Sequence, residues 1–223
     1  MKRRFTYGLG LVPAFALLLA VRLAHADSGD TDVAQASQPR SVPAFHGLDL
    51  AGVLGADVTL GKQASVTITG DADLIDKVTT TVKDGILVID TRELHHVHRH
   101  NMRLHAIVTA PDLSSLAVSG TGSIAITGVA NDRLAMDVSG TGAIKASGST
   151  GALNVQLSGT GEVSGKDLAA KDVVVDIHGT GSARLNATRS VDARISGTGS
   201  LSVHGHPAQI KKSVTGLGSV HIE

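Results

Sequence analysis

The chemically loudest stretch of the chain is His95-His96-Val97-His98-Arg99-His100, followed by His105. On an extended strand His96, His98 and His100 project from one face at intervals of about 6.6 Å. Imidazoles grouped in this way suit Zn, Cu or Ni. A straight strand holds them nearly parallel, however, so convergence on one ion requires a bent loop or a second chain. The bland alternative is a solvated loop between Ile89 and Leu104.

A second candidate chemistry is carboxylate catalysis on a polysaccharide. Asp137 and Asp176 occupy equivalent places in two repeats, with Gln156 between them. At about 4.8 Å per coil they stand roughly 9–10 Å apart, a separation that an inverting carboxylate pair tolerates. Both are expected on an open, solvated face where nothing raises a carboxylate pKa. Aromatic side chains to stack on sugar rings are also scarce. The expectation is an exposed structural ladder and no enzyme. The Gly-x-Gly units exclude a nucleotide cradle, because they lie between two strands and not between a strand and a helix N-terminus.

The elements that position these residues follow from the periodicity. Ser119-Gly120-Thr121-Gly122 returns as Ser139-Gly140-Thr141-Gly142, Ser158-Gly159-Thr160-Gly161, His178-Gly179-Thr180-Gly181 and Ser196-Gly197-Thr198-Gly199. A degenerate copy is Thr215-Gly216-Leu217-Gly218, and the first glycines lie 20, 19, 20, 18 and 19 residues apart. Self-similarity at this period marks a solenoid. Two residues before each first glycine come Val118, Val138, Leu157, Ile177, Ile195 and Val214, and four after it Ile124, Ile144, Val163, Ala183, Leu201 and Val220. These are period-two strands whose apolar face only stacking can bury. The paired glycines are read as structural corners, with a stacked threonine column between them. Leu217 in that column implies that it points inward or is at least half buried.

The fold class expected is therefore all-β, a parallel β-helix or β-solenoid of about 18–20 residues per coil, preceded by short strands and a β-hairpin. Residues 113–223 form the regular coils, and 44–112 form irregular N-terminal coils of the same domain. Lys83-Asp84-Gly85 between Val78 to Val82 and Ile86 to Ile89 is the hairpin signal. Asp71 to Asp76 is read as one helical turn. Residues 27–43, rich in Ser, Asp, Gln and Pro, are read as a disordered leader.

Residues 1–26 read as a signal peptide. Lys2-Arg3-Arg4 precede the apolar run Gly8 to Val21, and Ala24-His25-Ala26 gives a small-x-small cleavage site. The segment holds four of the 20 basic residues and none of the 20 acidic ones, leaving 16 against 20. A net charge of −4 with neutral histidines gives no footprint for nucleic acid. Cleavage leaves no membrane span, and Phe45 stays as the sole aromatic. The chain has no cysteine, so repeat stacking and not disulfides must stabilise it.

Phe45-His46-Gly47-Leu48, Ala56-Asp57-Val58-Thr59-Leu60-Gly61, the hairpin around Asp84-Gly85 and Ala110-Pro111-Asp112-Leu113 lead in order into the Ser-Gly-Thr-Gly ladder. In this combination the sequence resembles the putative autotransporter adhesin head GIN domain family of bacterial envelope proteins. The resemblance implies a β-helical envelope domain with no catalytic residues. The function expected is thus a non-catalytic binding or structural module, exported to the periplasm or outer surface. Its partner would be an unidentified envelope or surface protein or glycan, and oligomers could form through open solenoid ends. A periplasmic metal-binding protein is the second reading and a polysaccharide-active enzyme the third.

Overall fold

The computed structural model describes residues 34–96 and 102–223. Fifteen strands run through them: β1 (Gln35–Arg40), β2 (Gly47–Ala51), β3 (Val53–Leu60), β4 (Ser65–Asp71), β5 (Thr79–Lys83), β6 (Ile86–Asp90), β7 (Leu104–Ala110) and β8 (Ser115–Val118). The regular part follows as β9 (Thr121–Val138), β10 (Thr141–Leu157), β11 (Thr160–Ile177), β12 (Thr180–Ile195), β13 (Thr198–His204), β14 (Gln209–Val214) and β15 (Ser219–Ile222). The two short helical pieces among the described residues are 3-10 turns, at Ile75–Lys77 and Arg92–His96.

From β8 onward each coil lies parallel on the one before it, so equivalent residues of successive repeats are direct neighbours. This register turns the apolar positions into columns. Leu116, Met136, Val155, Val175 and Ala193 form one, and Val118, Val138, Leu157, Ile177 and Ile195 another, each residue buried. Ile124, Ile144, Val163, Ala183 and Leu201 form a third. Alternate residues point outward because the side-chain period of a strand is two. The columns continue into the irregular part through Leu48 and Leu50 of β2 and Ala56 of β3. One contiguous core therefore runs from Phe45 to Val203.

The N-terminal part departs from simple stacking. β3 and β4 are consecutive but not paired: β7 lies between them, parallel to β3 and antiparallel to β4. β5 and β6 form the expected antiparallel hairpin. Its turn places Asp84 at φ 52° and Gly85 at φ 76°, the left-handed pair that an Asp-Gly turn supplies.

The reading of 27–43 as a disordered leader is corrected for its second half. Gln35–Arg40 forms β1, antiparallel to β4 in a continuous six-residue register. The polar side chains that argued for disorder are used in pairing. Gln35 Nε2 donates to Asp71 Oδ1 at 2.7 Å, and Arg40 Nη2 to the Ile75 carbonyl at 2.7 Å. Asp71 itself is almost completely buried, so its carboxylate needs donors, and it accepts from Gln35 Nε2 and from the Arg103 backbone N–H at 3.2 Å. Pro39 sits on the edge strand, where a missing N–H is tolerated.

Candidate functional site

The outward residues at the Ser-Gly-Thr-Gly turn make a regular surface. Thr121, Thr141, Thr160, Thr180 and Thr198 are in register from coil to coil, and all five are exposed. At about 4.8 Å per coil, this column is roughly 19 Å long. The next outward column carries Ser123, Ala143, Glu162, Ser182 and Ser200. Between the two columns lies a shallow open groove of about 730 Å³. Its floor is glycine backbone and its walls are mostly hydroxyls. Glu162 pairs with Arg184 across the coils at one margin.

The inward threonine column is thus corrected. Alternation places Gly122 and Ile124 on the core side, so Thr121 must face out. Leu217, the counterpart in the last coil, is 86 % exposed and extends the groove lining as an apolar end. Its apolar nature does not signal burial, because no further coil covers it among the described residues.

The glycines at the turn are needed for approach more than for backbone freedom. Of the twelve read as corners (Gly120, Gly122, Gly140, Gly142, Gly159, Gly161, Gly179, Gly181, Gly197, Gly199, Gly216 and Gly218), only Gly216 has a left-handed φ, +119°. A Cβ on Gly159 would overlap the carbonyl oxygen of Gly140 and lie 2.7 Å from that of Ser139. A Cβ on Gly181 would overlap the Gly161 carbonyl. The coils stack too closely here for any side chain, and this keeps the groove floor bare.

Of the histidine candidates, His96 and His105 are described and neither lines this groove. His98 and His100 lie outside the described residues. His96 ends the second 3-10 turn and is exposed. His105 is on β7, with Nε2 3.0 Å from Asp57 Oδ2 of the neighbouring β3. Among the described residues no three His, Cys, Asp or Glu side chains are placed to hold a metal ion.

The carboxylate candidates stand where the repeat places them, with Gln156 between Asp137 and Asp176. Asp176 faces Arg194 at 3.4 Å, and Arg194 also meets Asp192 at 2.7 Å. Asp137 differs from the expectation of an unperturbed, solvated group. Partial burial pushes its pKa up, and the negative charge of Asp49 adds to this. Asp49 stands in the same column two coils away, beyond Ala117. It precedes the repeats, so no spacing signalled it.

A further cluster had no sequence signal. Arg189 and Ser190 converge on Asp172, with Arg189 Nε 2.7 Å and Ser190 Oγ 2.6 Å from Oδ1. The hydrogen bonds from Arg189, then Ser190, hold the Asp172 carboxyl down at about 2. Its partners lie 17 and 18 residues along the chain, one coil away. The cluster is an exposed staple between coils and bears on no groove.

Residues 44–207 match the model of the family described as "Putative auto-transporter adhesin, head GIN domain". Among solved structures, the chain is similar to a putative adhesin from Bacteroides fragilis at 22 % identity and a TM-score of 0.69. The likeness covers 85 % of this chain and 97 % of that one. A putative lipid binding protein from Parabacteroides distasonis has 21 % identity and a TM-score of 0.50, covering 85 % and 96 %. A putative adhesin from Parabacteroides merdae has 17 % identity and the same TM-score, again covering 85 % and 96 %. At these identities the likeness establishes the fold alone. No curated protein matches the chain at a significant level. The family match spans well over half of the chain, which therefore belongs to the head GIN domain family.

Proposed function

From this family membership, we propose that the chain is a non-catalytic adhesion-related module of the bacterial cell envelope, exported or surface-located, whose contact surface is the threonine–serine groove. The observation that carries the reading is the coil-to-coil register of exposed hydroxyls over a glycine floor. Such a surface offers donors and acceptors at one repeat distance along roughly 19 Å. It suits an extended polymer, a glycan strand or an extended protein segment, laid along the coil axis. An open groove buries little of a small molecule, whereas metabolite sites are concave and largely enclosed.

The carboxylate arrangement supports the non-enzymatic side. Asp176 is committed to Arg194, and the perturbed Asp137 has Gln156 and not an acid beside it. Among the described residues no helix is long and apolar enough to cross a membrane.

The test is attachment of cells carrying wild-type protein or the double variant Thr141→Arg/Thr180→Arg to surfaces coated with envelope glycan or matrix protein. Both threonines are exposed, so the variant should keep the wild-type circular dichroism while attachment falls at least about tenfold. Unchanged attachment by a folded variant would sink the groove as the contact surface. Protease treatment of intact cells checks location, since a surface module is cut and a periplasmic one is protected.

A further inference from the structure

Among the described residues the coil stack is bordered differently on its two sides. At the N-terminal end each half of the coil is closed by an antiparallel strand, β1 on β4 and β5 on β6. At the other end β14 pairs only with β12, and β15 only with β13, both parallel. The outer edges of β14 and β15 are unpaired among the described residues. The core columns also run out into solvent there. Val191 and Ile195 are 2 % exposed, but Ile210 and Val214, next in their columns, are 49 % and 42 % exposed.

Between these two apolar residues the inward column holds Lys212, directly after the fully buried Ala193. Lys211 points the other way and pairs with Asp192 at 3.3 Å. Lys212 makes no ion pair among the described residues. Among the described residues this edge therefore presents an apolar–cationic–apolar face, with an unpaired row of backbone donors and acceptors about 20 Å long.

This pattern discriminates among occupants. A second copy of the same end, in the antiparallel register that keeps the columns aligned, sets Ile210 against Val214 and Lys212 against Lys212. That contact encloses two like charges with no counter-ion, and inward-pointing charge is a known guard against edge pairing. An incoming strand with a carboxylate between two apolar residues gives Lys212 a partner and covers Ile210 and Val214.

We propose that β14 is a strand-accepting edge for an extended acidic peptide segment of a partner protein, with an apolar–acidic–apolar inward face. The peptide adds as an antiparallel strand, as β1 and β5 do at the other end. Backbone pairing supplies the attachment and the Lys212–carboxylate pair supplies the selectivity. The site is separate from the threonine–serine groove, so either reading can fail without the other.

The test uses the full chain and three labelled seven-residue peptides, read by fluorescence anisotropy up to about 1 mM. One has Val-Thr-Glu-Thr-Val at its centre, one replaces Glu with Lys, and one scrambles the alternation. The Glu peptide should bind at least about tenfold more tightly than either control, and Lys212→Glu should reverse the preference between Glu and Lys peptides. The variant's circular dichroism, matched to the wild type, separates lost binding from lost fold. Equal binding of the Glu and Lys peptides, or no binding, overturns the proposal. So does self-association of the wild-type chain in sedimentation that excludes the peptide, or binding only to anionic phospholipid vesicles.

Discussion

Replacing Gly159 with alanine should destabilise the solenoid far more than a Gly-to-Ala change normally does. A Cβ at this position overlaps the Gly140 carbonyl oxygen and lies 2.7 Å from the Ser139 carbonyl oxygen. Neither atom belongs to a flexible side chain, so the two coils must part by about 1 Å for the methyl to fit. The bonds joining them here are Gly159 N–H to the Val138 carbonyl at 3.1 Å and Thr160 N–H to the Gly140 carbonyl at 3.0 Å. Losing both costs about 2 kcal/mol at roughly 1 kcal/mol each, and overpacking strain adds about 1–2 kcal/mol. The expected loss is thus about 3–4 kcal/mol. The assay is urea denaturation followed by circular dichroism. With a slope of about 2 kcal/mol per M, the midpoint should fall by roughly 1.5–2 M. Gly165→Ala is the matched control. Its Cβ would meet nothing nearer than Leu185 Cδ2 at 3.4 Å, and its φ is not left-handed. That change should be neutral or stabilising by up to about 1 kcal/mol, through the unfolded chain's lost freedom. Equal midpoints for the two variants would refute the argument that close coil approach, and not backbone freedom, demands glycine at the turn.

Asp172 has a folded pKa of about 2, below its ordinary value of 3.8. Its stabilisation is therefore present above about pH 4 and lost as pH falls toward 2. Urea midpoints between pH 5 and pH 2 should fall less steeply for Asp172→Asn than for the wild type. Asp137 works in the opposite sense: its raised pKa means that stability drops as pH rises from 3.8 through the folded value. Carboxyl chemical shifts should show a lower Asp137 pKa in Asp49→Asn, and Asp137→Asn should denature at higher urea than the wild type at pH 7. Leu157→Ala removes a fully buried side chain from the middle of a core column. It should cost about 2–5 kcal/mol in the same denaturation assay, the lower end meaning that the neighbouring coils close the cavity.

Much of the regular half was legible because a solenoid writes its tertiary contacts as sequence period. Once Gly120, Gly140, Gly159, Gly179 and Gly197 are aligned, each residue's neighbour is the one about 19 places along. The inward columns through Val138, Leu157 and Ile177 can then be read from alternation alone. The Asp176–Arg194 pair was legible for the same reason. The described residues before 113 carry no such period. There β7 slips between β3 and β4, and β1 draws Gln35–Arg40 out of a composition that reads as disorder. Those outcomes depend on which edge is free and on the buried Asp71 carboxylate waiting for donors. Neither is a local property of the chain.

The candidate surface divides in the same way. The amino-acid sequence determined that threonines stack and that glycines floor the turn, because both follow from repeat length and residue type. The outward side of the threonines was within reach of the same alternation, since Val118, Gly120, Gly122 and Ile124 share one face. Only the tertiary structure decided that Leu217, in the threonine column, stands 86 % exposed. Asp137 teaches the same lesson. Its carboxylate is perturbed by Asp49, a residue 88 positions earlier that the coil stack brings into its column. Electrostatic coupling depends on distance through space, and the sequence records only distance along the chain.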